Sequence, residues 1–246
     1  MKQLVITACG RGGVGKTTAG VALADYLSEK GYDITPFDCD TENAGKLSSF
    51  SQWFGGSAET FNLRNPDDCD RLLEAAARSE ADYILCDLPA NASGDIAEWW
   101  NQVVTPETLK ELGLHIIGLR VVSPHPGSAE SVHEWIDVLG SKARYLVALN
   151  RLLFERVPGP ANQVFSVWNA LPVSGVALSS FEIPHLHGPA MEAMIRLGKL
   201  PSDVVRDKNL HVMPRARVKQ WRDAVHRNLD SSGLFVPKVA EPLTAA

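Results

Sequence analysis

Nine residues near the start of this 246-residue chain, Gly10-Arg11-Gly12-Gly13-Val14-Gly15-Lys16-Thr17-Thr18, have the types and spacing to hold a polyphosphate. Glycines let successive backbone N–H groups turn inward around an anion. Lys16 adds a compact positive charge for β- and γ-phosphates, and the Thr17 hydroxyl is a ligand for Mg²⁺. The same stretch also spells Gly10-x-Gly12-x-x-Gly15, with Asp38 or Asp40 at the distance of a ribose-binding acid. A dinucleotide site has no use for a Lys-Thr pair after its last glycine, whereas G-x-x-x-x-G-K-[ST] is satisfied in full. The stretch therefore reads as a nucleoside-triphosphate loop.

Three carboxylates extend the chemistry. Asp87 closes the apolar run Tyr83-Ile84-Leu85-Cys86, the position from which a carboxylate holds a Mg²⁺-bound water. Asp40 is placed to orient an attacking water for in-line phosphoryl transfer. Asp38 either assists through the metal's water shell or serves as a strand-end carboxylate with a structural role. The proposed metal set is thus Thr17, Asp38 and Asp87, with a nucleoside triphosphate and Mg²⁺ as cofactors.

Rigid elements must bring these groups together. The loop follows Leu4-Val5-Ile6-Thr7-Ala8-Cys9 and precedes a helical pattern over 18–30, the strand–loop–helix context that phosphate binding requires. Apolar runs then alternate with helical patterns, which predicts an α/β fold with a mainly parallel central sheet flanked by helices on both faces. Further strands are expected over 33–37, 83–86, 114–122, 145–149 and 175–178. Helices are expected over 68–79, 95–103, 106–112, 127–139, 189–196 and 214–229. Residues 44–66 show no clear period. One domain over 1–235 and a frayed tail over 236–246 are expected. Ligands of such sheets lie beyond the carboxyl ends of the strands, where the loop and all three aspartates fall.

A net charge of −5 excludes a uniformly basic nucleic-acid binder, but not a local basic patch. The first strand and loop occupy the place of a signal peptide, and no apolar stretch reaches the length of a membrane span, so a cytoplasmic protein is expected. Cys9, Cys39, Cys69 and Cys86 include no C-x-x-C pair; they read as small buried hydrophobes, with no disulfide or structural metal expected.

Arg11-Gly12-Gly13-Val14-Gly15-Lys16-Thr17 resembles the deviant Walker A box of the ParA/MinD ATPases, a P-loop NTPase family, normally written K-G-G-x-G-K-[ST]. Asp38-x-Asp40 is similar to that family's switch I and Asp87-Leu88-Pro89 to its switch II. Asn150 matches the strand-end asparagine that contacts adenine there. The segment Asp38-Cys39-Asp40-Thr41-Glu42-Asn43 is similar to plasmid mobilisation and conjugal-transfer relatives of ParA, which also suit Phe181-Glu182-Ile183-Pro184. The resemblance covers roughly residues 1–200. It implies ATP as the nucleotide, bound with Mg²⁺, and a slow ATPase with Lys16, Asp40 and Arg11 in catalytic roles. It also implies a nucleotide-dependent homodimer and a stimulating or cargo protein as partner.

One departure bears on the dimer. The family's signature lysine, which reaches across to the partner's phosphates, is Arg11 here. Arginine keeps the charge and forks onto phosphate oxygens, but it is longer and planar. The alternative is a protein that hydrolyses slowly or stays monomeric.

Residues 206–227 carry Arg206, Lys208, Arg215, Arg217, Lys219, Arg222 and Arg227 against Asp207 and Asp223. ParA-like proteins use such basic residues for non-specific DNA binding. The other reading is a solvated helix face with Val218, Trp221 and Val225 turned to the core. Trp53-Phe54 and Trp99-Trp100 near the switch motifs are candidates for a nucleotide-sensitive partner surface, although core packing explains at least one of Trp99 and Trp100. His185 and His187 read as surface or packing residues. A membrane-binding terminal helix is not expected, since Gly233-Leu234-Phe235-Val236-Pro237 is short and broken by proline. The expected function is an ATP-driven switch that positions or partitions plasmid or other DNA cargo. The alternative is a small-molecule carboxylate ligase on the same scaffold, of the dethiobiotin or cobyrinic acid diamide synthase kind.

Overall fold

A computed structural model describes residues 1–9, 12–42, 46, 49–90, 92–124, 127–152, 176 and 178–235, with the backbone alone for Asp95. The expectations for Gly10, Arg11, Gly175 and the tail over 236–246 fall outside the described residues.

Seven strands form one sheet: β1 (Lys2–Ala8), β2 (Ile34–Asp38), β3 (Glu59–Thr60), β4 (Tyr83–Asp87), β5 (Leu114–Val122), β6 (Ala143–Asn150) and β7 (Leu178–Ile183). Their spatial order is β3-β2-β4-β1-β5-β6-β7, and every pairing is parallel. Strands buried on both faces read as near-continuous apolar runs, as Leu4–Ala8 does apart from Thr7 and Ile116–Val122 apart from Arg120. From β1 the chain moves first to one side of the sheet (β2, β3, β4) and then to the other (β5, β6, β7). That reversal opens a crevice beyond the carboxyl ends of β4, β1 and β5.

Helices cover both faces. On one side α1 (Lys16–Glu29), the 3₁₀ turn Phe50–Phe54, and α6 (Gly188–Leu197), α7 (Pro201–Arg206) and α8 (Val212–Ser231) pack on Val5, Leu85, Ile117, Leu119, Leu146 and Phe181. On the other side α2 (Pro66–Arg78), α3 (Ala92–Val103), α4 (Pro106–Leu112) and α5 (Glu130–Leu139) enclose Leu4, Ile6, Ile84, Ile116 and Tyr145. Helix starts follow local chemistry. Asn65 accepts from Asp67 N and Thr105 from Thr108 N, each with proline in the first turn.

The structure departs from the sequence expectation at three places. The last strand is Leu178–Ile183, because Phe181 and Ile183 turn into the core and pair with Ala148 and Asn150. Residues 44–66 contain the 3₁₀ turn and the two-residue β3, too short for any period to register. Helix α7 was not expected; its N-terminal N–H at Ser202 is satisfied by Asp25, 177 positions away.

Candidate nucleotide-binding site

The crevice is a cavity of about 480 Å³ lined at one end by Gly12, Gly13, Gly15, Lys16, Thr17 and Thr18. Gly13 (φ 74°) and Gly15 (φ 95°) lie in the left-handed region, which lets the loop curl before α1 begins. Helix α1 has no side-chain cap, so its N-terminal N–H groups and dipole face the cavity. Lys16 is the sole cation among the described lining residues and is 8% exposed.

Parallel pairing of β4 with both β1 and β2 brings the carboxylates to the loop. Asp87 stands opposite Thr7 on one side and Asp38 on the other. The Thr17 hydroxyl donates to Asp87 Oδ2 at 2.6 Å. Asp87 Oδ1 is buried with no hydrogen-bond partner among the described residues. Burial pushes the Asp87 carboxyl up to about 7, although the Thr17 hydrogen bond and the Lys16 charge oppose the shift; Asp38 and Asp40 add to it. An orphaned carboxylate oxygen beside a threonine hydroxyl is a hard-oxygen donor set that fits Mg²⁺. Among the described residues no group of three or more His, Cys, Asp or Glu could hold a metal without help. Mg²⁺ sites of this kind draw their remaining ligands from water and substrate phosphates.

Asp40 and Glu42 line the same cavity. Asp38 does not. Its Oδ1 accepts from Asp40 N (3.2 Å) and its Oδ2 from Ser51 N (3.0 Å), so this buried carboxylate ties Asp40 to the start of the 3₁₀ turn. Burial raises the Asp38 carboxyl above its ordinary range, against the pull of those two N–H groups. Asn150, at the end of β6, comes to the loop: its Nδ2 donates to Val14 O at 2.7 Å, and its Oδ1 accepts from Leu152 N at 2.9 Å.

The cavity also has an apolar lining, with Phe50 and Trp53 from the 3₁₀ turn, Leu152, and Met191, Met194 and Ile195 from α6. This wall was not read from the sequence as part of the site. The spacing of Phe50 and Trp53 marks one side of a helical turn, but only tertiary packing carries that turn over α1, where the Phe50 ring would meet a Cβ on Gly20 at 3.2 Å.

Other expected surfaces resolve individually. Trp53 and Trp100 are buried; Trp99 is half-buried and donates to Asp70 Oδ1 at 2.7 Å. All four cysteines are buried free thiols, with Cys39 Sγ 3.2 Å from Cys86 Sγ. In α8, Val218, Trp221 and Val225 enter the core. Arg206 pairs with Glu29 and Asp203, and Lys219 and Arg222 pair with Asp223. Lys208, Arg217 and Arg227 are exposed and form no ion pair among the described residues. No helix among the described residues is long and apolar enough to cross a membrane.

A fully parallel sheet with a glycine–lysine–threonine loop at its reversal point defines a P-loop nucleotide-binding protein. More narrowly, the chain belongs to the CobQ/CobB/MinD/ParA nucleotide-binding domain family, whose model (CbiA) matches residues 5–221. It is 22% identical over 138 residues to Protein MobD of Acidithiobacillus ferrooxidans, across 56% of this chain and 59% of that relative. The chain thus spans less than two thirds of MobD. It is 22% identical over 251 residues to Protein TraL of Escherichia coli, across 96% of this chain and all of TraL. Its fold matches the MinD cell division protein of Aquifex aeolicus with a TM-score of 0.56 at 19% identity, over 97% of this chain and 100% of that one.

Proposed function

We propose that this chain is a Mg²⁺-dependent ATPase of the ParA/MinD type that dimerises on ATP and positions plasmid or other DNA cargo. The observation that carries the reading is the meeting of Lys16, Thr17 and Asp87 in one cavity, with Asp40 in its lining. Lys16 and the loop amides bind the phosphates, and the N-terminus of α1 adds its dipole. Thr17 and Asp87 would hold Mg²⁺, which when bound neutralises charge on the β- and γ-phosphates. Asp40 orients the attacking water. Arg11 supplies charge to the partner's site, and Arg217 and Arg227 on α8, with Lys208 in the turn before it, give the C-terminal region a weak, salt-sensitive hold on DNA.

The plasmid context rests on the similarity of residues 38–43 to mobilisation and conjugal-transfer relatives of ParA. A carboxylate-activating ligase would need cationic groups to align its acid. Lys16 is the sole cation among the described lining residues, and the charged groups that join it, Asp40, Glu42 and Asp87, would repel such an acid. That favours the switch.

The test is the solution mass of Asp40→Ala in Mg²⁺-ATP and in Mg²⁺-ADP, with nucleotide occupancy measured alongside. Dimer in ATP and monomer in ADP supports the switch. A monomer in both, with ATP bound, overturns it, and a wild-type chain that binds no ATP overturns the nucleotide reading itself.

A further inference from the structure

Asn150 is 6% exposed, and half of its amide's hydrogen-bonding capacity is committed to the chain itself. An asparagine amide offers two N–H donors and two acceptor lone pairs. One donor goes to Val14 O, 136 positions away, and one lone pair to Leu152 N. The approach is so close that a Cβ on Gly15 would lie 2.2 Å from Asn150 Nδ2.

The peptide between Val14 and Gly15 is planar and trans, so the Val14 C=O and the Gly15 N–H point in opposite directions. Holding the carbonyl toward Asn150 therefore directs the Gly15 N–H to the opposite side. Among the described residues no hydrogen bond within the loop fixes that choice. Rotating the peptide plane chiefly changes ψ of Val14 and φ of Gly15, and glycine accepts either sign of φ. Gly15 sits at φ 95° and passes its own C=O to Ala19 N at 2.9 Å, opening α1. The loop thus has a pivot at Gly15, and a buried side chain from the end of β6, two strands away from β1, selects one setting of it.

We infer that Asn150 is a positioning residue for the phosphate loop: by pinning the Val14 carbonyl it aims the Gly15 N–H at the phosphates of any nucleoside triphosphate, whatever its base. The inference rests on the nucleotide-binding reading of this cavity.

Two measurements test it. Binding of the Mg²⁺ complexes of ATP, GTP, CTP and UTP to Asn150→Ala should weaken by a common factor of about three to ten, that of one hydrogen bond, with the ranking of the bases kept. The Val14 carbonyl-carbon and Gly15 amide-nitrogen resonances of the nucleotide-free protein should shift in Asn150→Ala. They should also shift in Asn150→Asp, which keeps the acceptor for Leu152 N but loses the donor to Val14 O. Thermal melts confirm that both variants are folded. Loss confined to ATP, or both resonances unchanged in both variants, overturns the inference in favour of a base-reading asparagine. A wild-type protein that binds none of the four nucleotides defeats the nucleotide reading and leaves the resonance shifts to judge the clamp.

Discussion

Two fully buried charges flank β1, and their surroundings differ. Asp87 ends β4 at 1% exposure and Arg120 lies in β5 at 0%. Asp87 has a threonine hydroxyl on one oxygen, Lys16 nearby, and its other oxygen left over at the cavity end of the strand. Arg120 pairs in register with Ala8 under α5, where none of its three guanidinium nitrogens has a hydrogen-bond partner among the described residues. Its contact is the Trp135 ring, 4.7 Å from the guanidinium carbon, and burial brings its pKa down to about 9. The Arg120 head also fills the space over Gly118, where a Cβ would come within 2.9 Å of Nη2. Both charges resist desolvation, but only one faces a site whose ligand would repay it. Burial of charge in this fold therefore marks function when a donor set and a cavity come with it, and marks destabilisation when neither does.

The sharpest way to break that comparison is to remove the cation that Asp87 shares with the loop. Lys16→Ala is expected to weaken Mg²⁺-ATP binding by about a hundredfold, the loss of charge-assisted hydrogen bonds, with the circular dichroism spectrum unchanged. Titration calorimetry that found equal affinity in the variant would remove the phosphate end from the site.

Asp87 itself should make the nucleotide-free protein pH-sensitive. Below pH about 4 the folded and unfolded chains both carry the proton. Between there and pH about 7 the folded chain keeps a proton that the unfolded chain has released, so this group lowers stability as pH rises. The slope is at most about 1.4 kcal/mol per pH unit. Asp87→Asn removes it, so the variant should gain on wild type between pH 5 and pH 8 in urea melts without nucleotide. Parallel curves across that range would show that the buried carboxyl does not titrate as its surroundings require.

Arg120→Met tests the other side. Replacing an uncompensated buried charge with an apolar side chain of similar length should raise stability by about 1–4 kcal/mol and leave nucleotide affinity unchanged. A loss of several kcal/mol would mean that the stacked guanidinium holds α5 in place by more than its ring contact. The smallest effect belongs to charges that were never desolvated. Each of Lys208→Ala, Arg217→Ala and Arg227→Ala should shift stability by less than about 0.5 kcal/mol. If DNA is bound there, each should reduce the slope of log affinity against log salt by about one.

Much of this was legible before any coordinates. The loop motif is contiguous, so its chemistry is written in nine neighbouring residues, and the strands that feed it are long apolar runs. Helices α4 and α6 fall within a residue or two of expectation because proline or glycine marks their ends. The misses share a physical cause. Strand β3 is too short to show a period, helix α7 is only six residues long, and its capping carboxylate comes from α1. The apolar wall of the cavity draws on the 3₁₀ turn, the end of β6 and α6, which are distant in sequence.

The sequence by itself determined the kind of chemistry: a glycine-rich loop with Lys16 and Thr17, and acids placed directly after apolar runs, because these depend on local spacing. Tertiary structure decided what each acid and amide is used for. Asp38 turned its oxygens to backbone N–H groups, Asp87 kept one oxygen in reserve, and Asn150 closed on Val14. A side chain's hydrogen bonds depend on which strands lie beside its own, and strand order is set by packing across the whole sheet rather than by any single segment.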